Sequence, residues 1–192
     1  MNGGAIYVKN SMNNFSNDNN ENNIGYINDN VFISNEARNY GGAIYSEYNK
    51  IYLIENKNNT ISYNKAGIDG GGIYSSNIVN KNLFDINQFE FINNTVNSFK
   101  NEYSSLPYYI VLNTKMENNS IKISSGDYLP LSFSLYDEYN NILEDMAKYY
   151  SIALKISLYY EDNKDNSSTS DKIILNGNRE VFVKGILRYI II

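Results

Sequence analysis

The chain has no histidine and no cysteine. Ser-His-Asp triads, Cys-His pairs, imidazole or thiolate metal sites and disulfides are therefore excluded within it. Chemistry is left to 21 acidic side chains, 16 basic ones and 19 tyrosines. Acid–base work on a polysaccharide, or Ca²⁺ binding, needs several carboxylates converging on one place. Asp69 precedes Gly70-Gly71-Gly72, but the residue 29 positions earlier is Tyr40. The residues aligned with Glu47 and Glu55 at the repeat offset, Ser76 and Phe84, are not acidic. Asp69 thus reads as a turn residue. Glu161-Asp162-Asn163-Lys164-Asp165-Asn166 lacks the spacing and closing Glu of a calcium loop and reads as a solvated hairpin loop. Asp69–Gly72 lacks the Lys-Ser/Thr and following helix of a phosphate loop. No cofactor or metal is expected, and the chain reads as non-enzymatic.

Tyrosine offers different chemistry, a flat apolar face with a hydroxyl. Tyr7, Tyr45 and Tyr74 follow Gly-Gly-Ala-Ile, Gly-Gly-Ala-Ile and Gly-Gly-Gly-Ile. Such a column stabilises a sheet as an aromatic stack; with faces alternating along a strand, Ile44 inward puts Tyr45 outward, where the column would be a candidate contact surface for glycans or cell-surface proteins. Five glycosylation acceptors are present, Asn14, Asn58, Asn93, Asn118 and Asn166. So many are expected by chance in a chain with 35 asparagines. The net charge of −5 at pH 7 argues against phosphate-driven nucleic-acid binding.

These residues need elements to position them, and an internal repeat supplies them. Gly41-Gly42-Ala43-Ile44-Tyr45 recurs 29 residues later from Gly70, and an earlier copy begins at Gly3. A second motif keeps phase: Phe32-Ile33-Ser34-Asn35, Ile61-Ser62-Tyr63-Asn64 and Phe91-Ile92-Asn93-Asn94, followed by Ala37, Ala66 and Val96. The segments are too rich in Asn, Gly, Tyr and Ile for helix. One repeat reads as three short strands, Gly42–Glu47, Lys50–Glu55 and Thr60–Asn64, with Asn- and Gly-rich turns between. That is one coil of a parallel β-helix, with equivalent residues stacked about 4.8 Å apart. Phe32, Ile61 and Phe91 are predicted to stack in the core, as are Ile6, Ile44 and Ile73. Asn35, Asn64 and Asn94 are predicted to form an amide ladder at a left-handed corner. The longer first repeat places a loop at Asn13–Asn23.

The phased Gly-Gly-Ala-Ile and Phe-x-x-Asn motifs resemble the polymorphic outer membrane protein repeat of bacterial and related eukaryotic surface proteins. Gly3–Tyr7, Gly41–Tyr45, Gly70–Tyr74, Phe32–Asn35 and Phe91–Asn94 carry the resemblance, over about residues 1–100. Ile61–Asn64 departs from it by Ile for Phe, and the family's typical cysteines are missing. The resemblance implies a right-handed parallel β-helix that serves as a surface passenger in adhesion.

The repeat breaks after Asn94, and asparagine falls from 26 in the first 101 residues to 9 in the last 91. Residues 1–104 are read as the β-helix and 105–192 as an antiparallel β-sandwich. Its strands are predicted at Tyr108–Thr114, Ser120–Ser125, Leu129–Asp137, Ser151–Tyr160, Lys172–Leu175 and Val181–Ile192, with a turn at Asp137–Asn141. Gly126–Leu143 resembles an immunoglobulin-like domain of surface proteins. Chain ends without a leader segment, and a last strand running to Ile192, read as a fragment of a longer protein, incomplete at the C-terminus. The expected fold class is all-β. The expected function is a non-catalytic binding module of an extracellular, adhesin-like protein, without a membrane span in this segment. The alternative is a carbohydrate-active β-helix enzyme of the polysaccharide lyase or hydrolase kind, or its substrate-binding segment.

Overall fold

A computed structural model describes residues 1–9, 25–48, 54–76, 84–97, 99–118, 120–122, 124, 129–143, 177–178 and 186–191. The predicted loop at Asn13–Asn23, most of the strand at Lys50–Glu55, the strands Ser151–Tyr160 and Lys172–Leu175, and the loop Glu161–Asn166 lie outside them. The class is all-β. The described strands are β1 (Ile6–Val8), β2 (Gly25–Asn28), β3 (Val31–Ile33), β4 (Glu36–Ala37), β5 (Ile44–Ser46), β6 (Ile54–Lys57), β7 (Asn59–Ser62), β8 (Lys65–Ala66), β9 (Ile73–Ser75), β10 (Phe89–Ile92), β11 (Thr95–Val96), β12 (Phe99–Lys100), β13 (Tyr103–Ser105), β14 (Pro107–Leu112), β15 (Leu129–Asp137), β16 (Gly177–Asn178) and β17 (Ile186–Ile191). A short 3-10 turn at Ile86–Gln88 precedes β10.

The chain forms two compact units, Met1–Tyr109 with Tyr136–Asn141, and Ile110–Leu135 with Ile142–Ile192. In the first, strands pair in parallel at the period of the repeat. One sheet runs β1-β5-β9-β13, with Ile6 opposite Ile44 and Ile44 opposite Ile73. A second runs β3-β7-β10, with Phe32, Ile61 and Phe91 in one column. A third runs β4-β8-β11 and is closed by the antiparallel β12; β2 and β6 form a fourth. Ile44, Ile61 and Ile73 are fully buried with Ala43, and Phe84, Phe89 and Phe32 complete the core they form. Phe91 and Ile6 pack against it half-buried.

Three series of corner residues take the left-handed backbone: Gly3, Gly41 and Gly70; Asp29 and Asn58; Ser34, Tyr63 and Asn93. The corner therefore falls one residue before the predicted asparagine column, because Asn35, Asn64 and Asn94 turn their amides between the coils instead. The two glycines of each pair have separate reasons. Gly41 and Gly70 hold positive φ, which favours glycine. Gly42 is required by closeness, since a Cβ there would run into the carbonyl oxygen of Gly71.

The stacking passes the point where the motif fails. Tyr103 pairs with Ile73 and Ser105 with Ser75, and Gly72 and Ile73 donate to the carbonyl of Glu102 just as Ala43 and Ile44 donate to that of Gly72. Backbone pairing needs no side-chain motif, so a fourth strand joins the first sheet without a Gly-Gly pair.

In the second unit, Leu129–Asp137 has its predicted bounds. It pairs antiparallel with β17, which pairs antiparallel with β16. Residues 120–122 carry no strand beyond the isolated bridge of Glu117 with Ser120. Ser134 is buried, and the Asn113 side-chain amide donates to its hydroxyl at 2.7 Å.

Candidate functional site

The tyrosine column exists, but it is not an exposed ladder. Tyr7 and Tyr45 stack with ring centroids 5.2 Å apart, and Tyr45 and Tyr74 at 5.8 Å with planes within 3°. Tyr45 and Tyr74 are buried, while Tyr7 is 47% exposed. Tyr40 leans over the column, 4.5 Å from the Tyr74 ring, and Ile68 packs beside it. Alternation along β5 does turn Tyr45 away from Ile44, but the neighbouring corner covers that side. The expectation of a three-tyrosine contact surface is thus corrected: two of its members are inaccessible, and the column works as an aromatic stack. Glu47 accepts from the Tyr45 hydroxyl at 2.9 Å. Hydrogen bonding to the same carboxylate is the main reason the Tyr7 phenol is pushed up to about 12.

The asparagine column is an amide ladder. The backbone N–H and side-chain amide of Asn35 both donate to Asn64 Oδ1, at 2.8 and 2.9 Å. Those of Asn64 both donate to Asn94 Oδ1, at 2.9 Å each. Each amide spends its second N–H on a carbonyl, Asn64 on Phe32 and Asn94 on Ile61. The ladder ends on a carboxylate: Asn94 gives its backbone N–H and its amide to Glu102 Oε2. The sequence reading missed Glu102 as the end of the ladder, because it stands outside the repeat. Asn30 on Asn59 makes a second, shorter ladder.

Asp69 follows its assignment as a turn residue and does more. Its Oδ1 accepts from the Gly70 N–H at 2.9 Å and from the Asn101 amide at 2.8 Å. Its Oδ2 accepts from the Ser104 hydroxyl at 2.9 Å. The same hydroxyl lies 3.3 Å from Asp137 Oδ2. Both carboxylates are buried. Burial pushes the Asp69 carboxyl up to about 6 and raises that of Asp137 as well. Nothing in the sequence linked these two, since they lie 68 positions apart. Glu47 and Glu55 do not join them.

Comparison of the chain with protein-family models, with curated proteins and with solved structures finds no match. Geometry alone therefore defines the site. Among the described residues no group of three or more acidic side chains is placed to hold a metal ion.

The accessible chemistry lies on the outward face of the β3-β7-β10 sheet. Val31 and Ile33 are 67% and 56% exposed on β3. In register beside them run Thr60 and Glu90 in one column, and buried Ser62 and half-buried Ile92 in the other. Thr60 donates to Glu90 at 3.3 Å. A shallow groove at this end of β7 and β10 is lined by Asn58, Thr60, Asn87, Gln88 and Glu90, with Phe89 and Asn59 beneath. The corner after β7 carries Tyr63, at φ 54° and 57% exposed. Its stacked equivalents are Ser34 and Asn93, which adopt the left-handed conformation more readily than a bulky aromatic.

Of the glycosylation acceptors, Asn58, Asn93 and Asn118 are exposed, each with positive φ. Asn14 and Asn166 lie outside the described residues. Asn58 donates its side-chain amide to Asp29 at 3.0 Å across the stack.

Proposed function

We propose that the chain is a non-catalytic binding module of a cell-surface or secreted, adhesin-like protein. It is a short right-handed parallel β-helix followed by an immunoglobulin-like β-sandwich, and its ligands are glycans. Parallel pairing at the repeat period, in four sheets of the first unit, supports the helical part of this reading. The observation that carries the function is Tyr63. An aromatic side chain in left-handed backbone costs on the order of 1 kcal/mol or more. Its ring is turned largely to water, so burial does not offset that cost. Strain held at an exposed position is the usual mark of a surface kept for contact.

The amides and carboxylate of the groove add hydrogen-bonding groups of both kinds at the end of the sheet where Val31 pairs with Thr60, and Ile33 and Tyr63 lie farther along the strands. Sugars present the same mixture, apolar C–H faces rimmed by hydroxyls. The test is binding of the full chain to an array of glycans, alongside the variant Val31→Ser/Ile33→Ser/Tyr63→Asn. Asn suits the left-handed corner, so the variant keeps the fold while losing the apolar face. The expected result is saturable binding by the parent that weakens at least about tenfold in the variant, the equivalent of about 1.4 kcal/mol. Equal binding by both proteins, or no glycan bound by the parent, would overturn the reading.

A further inference from the structure

Two features of the first unit meet at Ser104. The first is an edge. β13 is the last strand of its sheet, and the groups on its far side need partners, as any sheet edge does. Side chains of the Tyr136–Asn141 segment supply them. Asp137 Oδ2 accepts from the Ser105 N–H at 3.1 Å, and the Asn141 amide donates to the Tyr103 carbonyl at 3.1 Å. Glu138 N–H donates to the Ser105 hydroxyl at 2.9 Å, and the Tyr139 ring stands against Tyr103 at 5.2 Å. The segment thus imitates a fifth strand while offering no further edge.

The second feature is a proton count. Ser104 is buried, with Asp69 at 2.9 Å and Asp137 at 3.3 Å. A hydroxyl carries one proton and can donate only once. With both carboxylates ionised, one of them faces an oxygen lone pair and the other charge. With one of them protonated, the acid donates to Ser104 and Ser104 donates to its partner, so every contact is satisfied. The other oxygens are already occupied, Asp69 Oδ1 by Gly70 and Asn101 and Asp137 Oδ1 by the Asn141 N–H, and Asp137 Oδ2 also accepts from the Ser105 N–H.

We propose that Asp69 and Asp137 hold one proton between them through Ser104, and that this proton latches the Tyr136–Asn141 segment over the edge of β13. Loss of the proton puts two buried negative charges beside one hydroxyl and loosens the segment. The device covers the edge firmly in mildly acidic surroundings and weakly above neutrality.

The other ionisable groups around the pair are Tyr40 opposite Asp69, Tyr74, Tyr103, Glu138 and Tyr139, and the Lys100–Glu102 ion pair ahead of β13. The charge that acts on Asp69 is the like charge of Asp137. The direction follows. A carboxyl raised to about 6 in the folded chain, from an ordinary 3.8, binds its proton in the folded state first. The stabilisation it brings is complete below the ordinary value and is lost as pH rises through the raised one.

Hydrogen exchange of the full chain at pH 5 and pH 7.5 tests the latch, corrected for the intrinsic pH dependence of exchange. Protection of the Ser105 and Asn141 amides, both bound to Asp137, is expected to fall about tenfold between those values. Between the ordinary and the raised pKa each pH unit weakens the linked closure by about a factor of ten, and above the raised one it weakens no further. In Asp69→Asn the side-chain amide replaces the acid proton permanently, and protection should be the same at both values. Equal protection at both values in the parent, or an undiminished change in Asp69→Asn, would overturn the proposal. If that variant fails to fold, carboxyl carbon resonances of the parent decide. A midpoint near 6 for one member of the pair supports the latch, and two midpoints below about 4.5 refute it.

Discussion

Asn64 illustrates how one side chain holds two turns of this chain together. It accepts twice from Asn35 and donates to Asn94 and to the Phe32 carbonyl. Every hydrogen-bonding atom of the amide is used, in a position fully removed from water. Replacing it by Ala would orphan donors of Asn35 and take side-chain donors from the Phe32 carbonyl and from Asn94 Oδ1, which keeps only the backbone N–H. Buried polar groups left without partners cost about 1–3 kcal/mol each. Asn64→Ala is therefore expected to destabilise the chain by about 3 kcal/mol or more in denaturant unfolding. Asn58→Gly, which removes an exposed amide and still suits the left-handed backbone there, should change stability by less than about 0.5 kcal/mol. Equal effects of the two would mean that the ladder does not hold the coils.

At the scale of elements, each strand is short and gains its stability from its neighbours in the stack. The Gly pairs set how closely successive coils approach. Gly42→Ala would push a methyl group into the Gly71 carbonyl and force β5 from β9. We expect it to cost about 2 kcal/mol or more, against a few tenths at Gly25, where the nearest atom to a Cβ is 3.9 Å away. A fall in the thermal midpoint of Gly42→Ala matched by Gly25→Ala would contradict this spacing role.

The repeat made much of this legible. The phase of Gly-Gly-Ala-Ile and Phe-x-x-Asn placed the columns Ile6-Ile44-Ile73 and Phe32-Ile61-Phe91 and the amide ladder in their observed registers. Burial was less legible than register. Alternation sends Tyr45 away from Ile44, but only the fold shows that Tyr40 and Tyr74 cover it. The parts that close the stack were not legible at all. Glu102 and the Asp69–Ser104–Asp137 cluster act once each, and a feature that occurs once leaves no period to detect. Asp137–Asn141 was readable as a turn, yet its partners on β13 lie more than 30 positions away.

For the molecule as a whole, one geometric condition governs the rest: each repeat lies on the one before in fixed register. That register brings Val31, Thr60 and Glu90 into one column and so builds the proposed binding face. The chain lacks cysteine, so engineered pairs report on it without interference. Cα atoms of directly paired residues on adjacent strands lie within disulfide range, whereas a shift of two residues takes them beyond about 7 Å. The sharpest check is disulfide formation under mild oxidation in Val31→Cys/Thr60→Cys and Thr60→Cys/Glu90→Cys, compared with Val31→Cys/Ser62→Cys. Fixed register predicts rapid, near-complete closure in the first two and little in the third. Preferential closure of the third pair, or of none, would contradict the stacking on which the proposed face depends.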